Sequence, residues 1–137
     1  MYESLTRYLP EFERGEIVGT WIDGGVHAGT PEDPLQLPYV EYGEMATGIE
    51  RAITAFVSDY PEFCLTSYSE ILENAGLAWD ARSMEAADAS VLDGRTAMAL
   101  LVGAVRADRF CEGAYLGFFE SGCIERWLRR LKEIDEA

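Results

Sequence analysis

The chain has 137 residues, of which 48% are hydrophobic and 12% aromatic, which is enough apolar material for the core of one domain. Its 25 acidic residues outnumber its 11 basic residues, giving a formal net charge of −14. This excess of negative charge excludes the usual electrostatic mode of binding to nucleic acid or an anionic membrane, so neither partner is expected.

The chemistry-bearing residues are few and scattered. The three cysteines Cys64, Cys111 and Cys123 have no paired spacing, which predicts reduced thiols in a cytoplasmic protein. The N-terminal residues include acids and no apolar run, unlike a signal peptide. His27 is the only histidine, and no nucleotide-binding, zinc or nucleophile motif is present. We therefore expect no cofactor, no metal site and no catalytic residue, and we favour a protein that is not an enzyme.

The first part of the chain predicts one helix followed by a β-hairpin. "YESLTRYLPEFERG" has helical apolar spacing, is interrupted by Pro10 and ends at Gly15. "EIVGTWI" and "LQLPYVEYG" are rich in β-branched and aromatic residues and predict two short strands. The glycine-rich segment 23–34 between them predicts a mobile hairpin loop.

The rest of the chain predicts helices. One runs from Gly43 to about Tyr60, and "SYSEILENAG" predicts the next, with a capping box from Ser67 to Glu70. "LAWDARSMEAADAS" is compatible with a short helix or an ordered loop. A strong helix is predicted from Ser90 or Asp93 to about Phe110, a short one before the "ESG" tripeptide, and a final one after Gly122. The pattern predicts a helix-rich α+β fold, a single domain over 1–137 in which a short antiparallel hairpin packs on about five helices.

The segment "VRADRFCEGAYLGFFESG" places charges in an apolar context. With about 100° per residue, a helix continued to Phe110 would direct Arg109 toward the core. A buried guanidinium needs a carboxylate, so the spacing predicts a charge network of Arg106, Asp108, Arg109, Glu112 and Glu120. This network would either clamp consecutive helices or line a polar site with Glu112 or Glu120 as acid or base; we favour the clamp.

Three aromatic residues lie on or near the predicted strands: Trp21, Tyr39 and Tyr42. They would form the sheet face on which the helices pack, which we favour, or a ligand platform beside the 23–34 loop.

Several motifs together resemble a known family. "RADRFCEG", followed by "ESG" and "LRRLKEI", is similar to the C-terminal part of the bacterial and phage family DUF6508, and "LTRYLPEFE" and "LPYVEYG" resemble it in the same order. No activity is implied by the resemblance. It implies a single compact domain and identifies Arg106–Gly113 as its defining feature.

Charge is unevenly distributed along the chain. Residues 1–95 hold eighteen acids and five arginines, a net charge of −13, whereas residues 96–137 hold seven acids and six bases, a net charge of −1. We therefore favour an acidic interaction module that docks on a protein partner with a basic surface. The resemblance to a phage family adds the hypothesis of an anti-defence, anti-CRISPR-like inhibitor. The alternatives are a small ligand-binding protein or enzyme with a polar site at Arg106–Glu120, and a homodimer.

Overall fold

The two predicted strands form an antiparallel hairpin in the computed structural model, which describes residues 1–137. Strand β1 (Gly19–Ile22) pairs with β2 (Tyr39–Tyr42), with Trp21 opposite Val40. Residues that alternate along a strand point to opposite faces, so the face with Trp21 and Val40 turns toward the helices. Val40 is buried there, whereas Tyr39 is half-exposed on the other face.

Helices make up the rest of the fold. The α-helices are α1 (Glu3–Thr6), α2 (Leu9–Glu13), α3 (Glu44–Asp59), α4 (Tyr68–Asn74), α5 (Ala81–Ala86), α6 (Gly94–Ala107), α7 (Ala114–Glu120) and α8 (Cys123–Glu136). Single 3₁₀ turns occupy Pro61–Phe63, Leu65–Ser67 and Ala89–Val91. The predicted helix-rich α+β fold is confirmed. None of the helices is both long and apolar enough to cross a membrane.

The core is built around α6. Every residue from Thr96 to Ala104 is buried, because α3, α4, α7 and α8 pack around this helix. Asp93 begins α6 as its N-cap: the carboxylate accepts a hydrogen bond from Thr96 N (2.8 Å). α8 buries Trp127 and leaves Arg129 exposed, where it forms an ion pair with Glu125 one turn earlier (2.9 Å).

Two local predictions differ from the structure. The first helix is split into α1 and α2 by a turn at Arg7–Tyr8, and Pro10 lies in the first turn of α2, where its missing N–H leaves no bond unmade. The capping box at Ser67 is wrong. Ser67 ends a 3₁₀ turn and lacks the extended backbone of an N-cap, so its side chain makes no capping hydrogen bond.

The end of α6 is the difference with the largest consequence. The helix ends at Ala107, three residues before the predicted Phe110, and the chain reverses through residues 108–113 before α7 begins. We call residues 108–113 the α6–α7 turn.

Candidate functional site

The α6–α7 turn overturns the prediction for Arg109. Because α6 has already ended, helical spacing no longer sets the direction of this side chain, and Arg109 is exposed rather than buried. Its guanidinium makes no ion pair or hydrogen bond within the chain. The predicted buried clamp at Arg109 is therefore wrong.

The other predicted network residues separate into two groups. Arg106 is half-buried and Glu120 is exposed, and neither forms an ion pair. Asp108 and Glu112 are engaged, but with the hairpin rather than with arginine. Two of the five residues, Asp108 and Glu112, therefore share one structural role, which is to bind the hairpin.

Glu112 binds the outer edge of β2. The bond from Gly43 N to Val18 O (2.8 Å) sets the register, in which Val40 N points away from β1. Glu112 Oε1 accepts from Val40 N (2.8 Å), so a carboxylate takes the place of a neighbouring strand. One outward N–H group of this edge is thereby taken up within the chain.

Asp108 and Tyr42 join the hairpin to α7. Tyr42 Oη donates to Asp108 Oδ1 (2.8 Å), Tyr115 N donates to the same oxygen (3.1 Å), and Leu116 N donates to Tyr42 Oη (3.0 Å). The first N–H groups of a helix have no acceptor within the helix itself, so Asp108 and Tyr42 supply acceptors for two of those in α7. Burial, reinforced by the bond to Asp108, raises the pKa of Tyr42. Burial likewise raises the pKa of Tyr115, whose hydroxyl donates to Ala46 O (2.8 Å).

Gly113 and Trp21 form the third contact between the turn and the hairpin. Gly113 adopts φ +85°, a left-handed conformation that starts α7, and the Trp21 ring occupies the space that a Cβ would fill. Only glycine meets both conditions. Even so, Trp21 remains 52% exposed.

The three candidate platform residues do not share a face. Trp21 and Tyr42 lie on the helix-facing side of the hairpin, and Tyr39 lies on the outer side beside Ile22. The Tyr42 hydroxyl is already engaged by Asp108 and Leu116. Tyr42 thus has a docking contact within the chain, and Trp21 and Tyr39 are the rings that reach solvent.

The loop of the hairpin is organised by Asp33. Its Oδ1 lies 2.6 Å from His27 Nδ1, its Oδ2 accepts from Ala28 N (2.9 Å), and its carbonyl accepts from Gly29 N (2.9 Å). The bonds from His27 and Ala28 lower the pKa of Asp33. These contacts give the tip of the loop a defined shape; its mobility stays a prediction.

The hairpin also carries most of the exposed large hydrophobic residues, which sequence reasoning missed. Ten large hydrophobic residues are exposed, and six of them belong to residues 17–39: Ile17, Trp21, Val26, Leu35, Leu37 and Tyr39. Isolated exposed apolar residues are normal, so it is their concentration in one segment that distinguishes the hairpin. The available signal was the presence of branched apolar residues among loop-forming glycines and prolines, where no core can cover them.

Comparison with known protein families gives a match over almost the whole chain. The model of one family, described as a family of unknown function, matches residues 2–137. No curated protein and no solved structure matches.

Proposed function

The chain belongs to the DUF6508 family, which confirms the resemblance, and we propose that it is a protein-interaction module whose β-hairpin docks on a basic surface of another protein. The observation that carries the proposal is the concentration of exposed apolar side chains on residues 17–39. We call the surface of residues 16–44 the hairpin surface.

Apolar contact would supply the affinity of this surface. Val26 is fully exposed, Leu37 is 84% exposed and Ile17 is 76% exposed, so a partner would remove nearly the whole of each side chain from water. Burying such a side chain contributes about 1.5–3 kcal/mol. Trp21 adds an aromatic ring, the residue type most common among energetically dominant interface contacts.

Charge would select the partner. The hairpin surface contains six acids and no lysine or arginine. Five of these acids are exposed: Glu16, Asp23, Glu32, Glu41 and Glu44. A basic partner would be attracted, and a second copy of this chain would bring like charges together, so we propose a different protein as the partner.

The backbone of β1 offers a further contact. In the observed register, Gly19 N and Trp21 N point away from β2, and neither donates a hydrogen bond within the chain. On the opposite edge Glu112 already occupies the N–H of Val40, whereas both outward N–H groups of β1 are free, so we propose β1 as the edge that receives an added strand. A basic, partly apolar segment of the partner would pair there. Nucleic-acid-binding proteins present such basic surfaces, and occluding one is how an anti-defence inhibitor would act.

The test is an affinity capture followed by a direct binding measurement. The immobilised protein is exposed to host lysate at about 50 mM and about 300 mM salt, and retained proteins are identified by mass spectrometry. We expect a basic protein that binds at low salt and is released at high salt. The purified partner is then titrated by calorimetry against the wild type and variants, and light scattering checks that the free protein is monomeric.

Matched variants separate the hairpin surface from exposed apolar and acidic residues elsewhere. Leu37→Ser should weaken binding about tenfold or more, because the complex loses the apolar contact that Leu37 would bury against the partner. The control Val91→Ser removes a residue of similar exposure outside the hairpin and should bind like the wild type. Glu32→Lys should make the affinity for the partner depend less on salt, and Glu73→Lys on α4 should leave that dependence unchanged. Equal binding by Leu37→Ser and Val91→Ser would refute docking through the hairpin, and a partner insensitive to salt would refute electrostatic selection.

A further inference from the structure

The α6–α7 turn also lines a cavity, through Phe110 and Cys111. This cavity of about 440 Å³ opens between α5, the end of α6 and α7. Eight of its eleven lining residues are hydrophobic, and the largest are Trp79, Met84, Phe110 and Phe118. This volume lies within the range of small-molecule sites.

One wall of the cavity is held in place by contacts within the chain. Trp79 Nε1 donates to Gly103 O (2.9 Å), and Gly103 allows the indole to lie against α6, since a Cβ there would be 3.2 Å from Trp79 Cδ1. Phe110 meets the indole edge to face, with ring centroids 5.7 Å apart. The indole therefore has a fixed orientation before any ligand arrives.

The other aromatic wall is open to solvent. Phe110 is 79% exposed, although it lines an apolar cavity. Its position follows from the early end of α6, which places Phe110 in the turn rather than on the helix. A ligand in the cavity would cover the ring and gain the free energy of removing it from water.

The charged groups of the cavity are both acidic. Asp80 and Glu85 line it, and no lysine, arginine or histidine does. Asp80 Oδ1 accepts from Ser83 N (2.7 Å) as the N-cap of α5, whereas the Glu85 carboxylate makes no hydrogen bond or ion pair within the chain. Carboxylates beside aromatic faces attract cations, because both present negative potential.

We propose that this cavity binds a small organic cation with an aromatic or cyclic apolar body and an ammonium group. The body occupies the space bounded by Trp79, Phe110 and Phe118, and the ammonium group lies toward Glu85 and Asp80. The site is separate from the hairpin surface and does not depend on the proposed function.

Three probes of similar shape and different charge test the proposal. 1-Naphthylmethylamine is a cation at neutral pH, 1-naphthylmethanol is neutral and 1-naphthoic acid is an anion. Each is titrated into ¹⁵N-labelled protein, following the Trp79 indole N–H and the backbone amides of Ala114 and Gly117. We expect the amine to bind about fivefold to tenfold more tightly than the alcohol, and the acid to bind least tightly.

Variants connect the binding to this cavity. At Gly117 a Cβ would meet no atom within 4 Å, so Gly117→Leu should fill the cavity without disturbing the fold and abolish binding of amine and alcohol alike. Circular dichroism verifies the fold. Glu85→Gln should weaken the amine several-fold and leave the alcohol unchanged, and Glu73→Gln, outside the cavity, should affect neither.

Three results would overturn the proposal. The first is that no probe shifts the cavity resonances. The second is that the amine binds no better than the alcohol, which refutes the cationic class. The third is that Gly117→Leu binds the amine like the wild type, which places the amine elsewhere on the acidic surface.

Discussion

Asp108 and Glu112, in the α6–α7 turn, bind the hairpin rather than an arginine, and the energies of the two kinds of contact explain why. A hydrogen bond to a charged group contributes about 1.5–3 kcal/mol, whereas an exposed ion pair contributes about 0–1 kcal/mol. Both carboxylates bind hairpin donors that would otherwise lack partners, Val40 N and Tyr42 Oη. Arg109 stays in water, where its charge needs no partner and incurs no desolvation cost.

The hydroxyl of Tyr42 gives a prediction about pH. The folded protein raises the pKa of Tyr42, so the unfolded chain loses this proton first, and stability falls as the pH rises above the ordinary tyrosine pKa of about 10. Below that pH the contribution is fully present. Tyr42→Phe should lower the free energy of unfolding at pH 8 by about 1–3 kcal/mol and reduce the further loss at pH 10.5. Urea unfolding at the two pH values measures both effects.

Tyr39 is the matched control for this prediction. It lies on the outer face of the hairpin and is half-exposed, and its hydroxyl donates no hydrogen bond within the chain. Tyr39→Phe should leave both the stability and its loss at high pH close to those of the wild type. If Tyr42→Phe and Tyr39→Phe behave alike, Tyr42 does not hold the hairpin through its hydroxyl.

At the scale of elements, the hairpin depends on the α6–α7 turn. A two-stranded hairpin is at best marginally stable by itself, and β1 and β2 have four residues each. The hairpin is attached to α7 and the turn by the hydrogen bonds that Val40 and Tyr42 donate and by the packing of Trp21 on Gly113. The conformation of this turn therefore sets the position of the hairpin surface.

Gly113→Ala should loosen the hairpin. The new Cβ would overlap the Trp21 ring, so Trp21 must move away from this position. It would also disfavour the left-handed backbone conformation of residue 113. Hydrogen–deuterium exchange should rise across β1 and β2, while the amides of α6 and α8 keep their protection.

Gly76→Ala separates backbone strain from the clash with Trp21. Gly76 has φ +78°, close to that of Gly113, but a Cβ there meets nothing within 4 Å. This variant should lose a similar amount of stability from strain and leave exchange in the hairpin unchanged. Faster hairpin exchange in both variants, or in neither, would contradict the role of the Trp21–Gly113 contact.

At the scale of the whole molecule, net charge opposes the compact state. The chain carries −14, and its ion pairs lie at the surface, mostly among neighbours in sequence such as Glu125 and Arg129. Repulsion among like charges acts over longer distances than these pairs and is screened by salt. The hairpin surface contributes to it with six acids and no base.

Salt should therefore stabilise the free protein. Raising sodium chloride from about 10 mM to about 150 mM should raise the Tm by about 2–5 °C, measured by calorimetry at neutral pH. The same salt should weaken partner binding, because both effects come from the unpaired acids. A Tm that falls with salt would indicate that local ion pairs outweigh the repulsion.

Patterns within one element were sufficient to predict much of the fold. The helix predicted from Gly43 to about Tyr60 is α3, and of the two predicted starts of α6, Ser90 and Asp93, the second is the observed N-cap. The two strands followed from their β-branched and aromatic residues. These predictions succeeded because helical and strand periodicity encode which face of an element is buried, and caps act on the nearest turn.

The candidate site depended on contacts between distant parts of the chain. Glu112 binds Val40, 72 residues away, and Tyr42 binds Asp108, 66 residues away. Local spacing instead paired these carboxylates with Arg106 and Arg109, because a wheel drawn on the sequence assumes that the helix continues. The sequence by itself determined the fold class, the acidity of the hairpin segment and the family. Only the tertiary structure decided where α6 ends and which apolar residues stay exposed, because both depend on which surfaces meet when the hairpin docks on the helices.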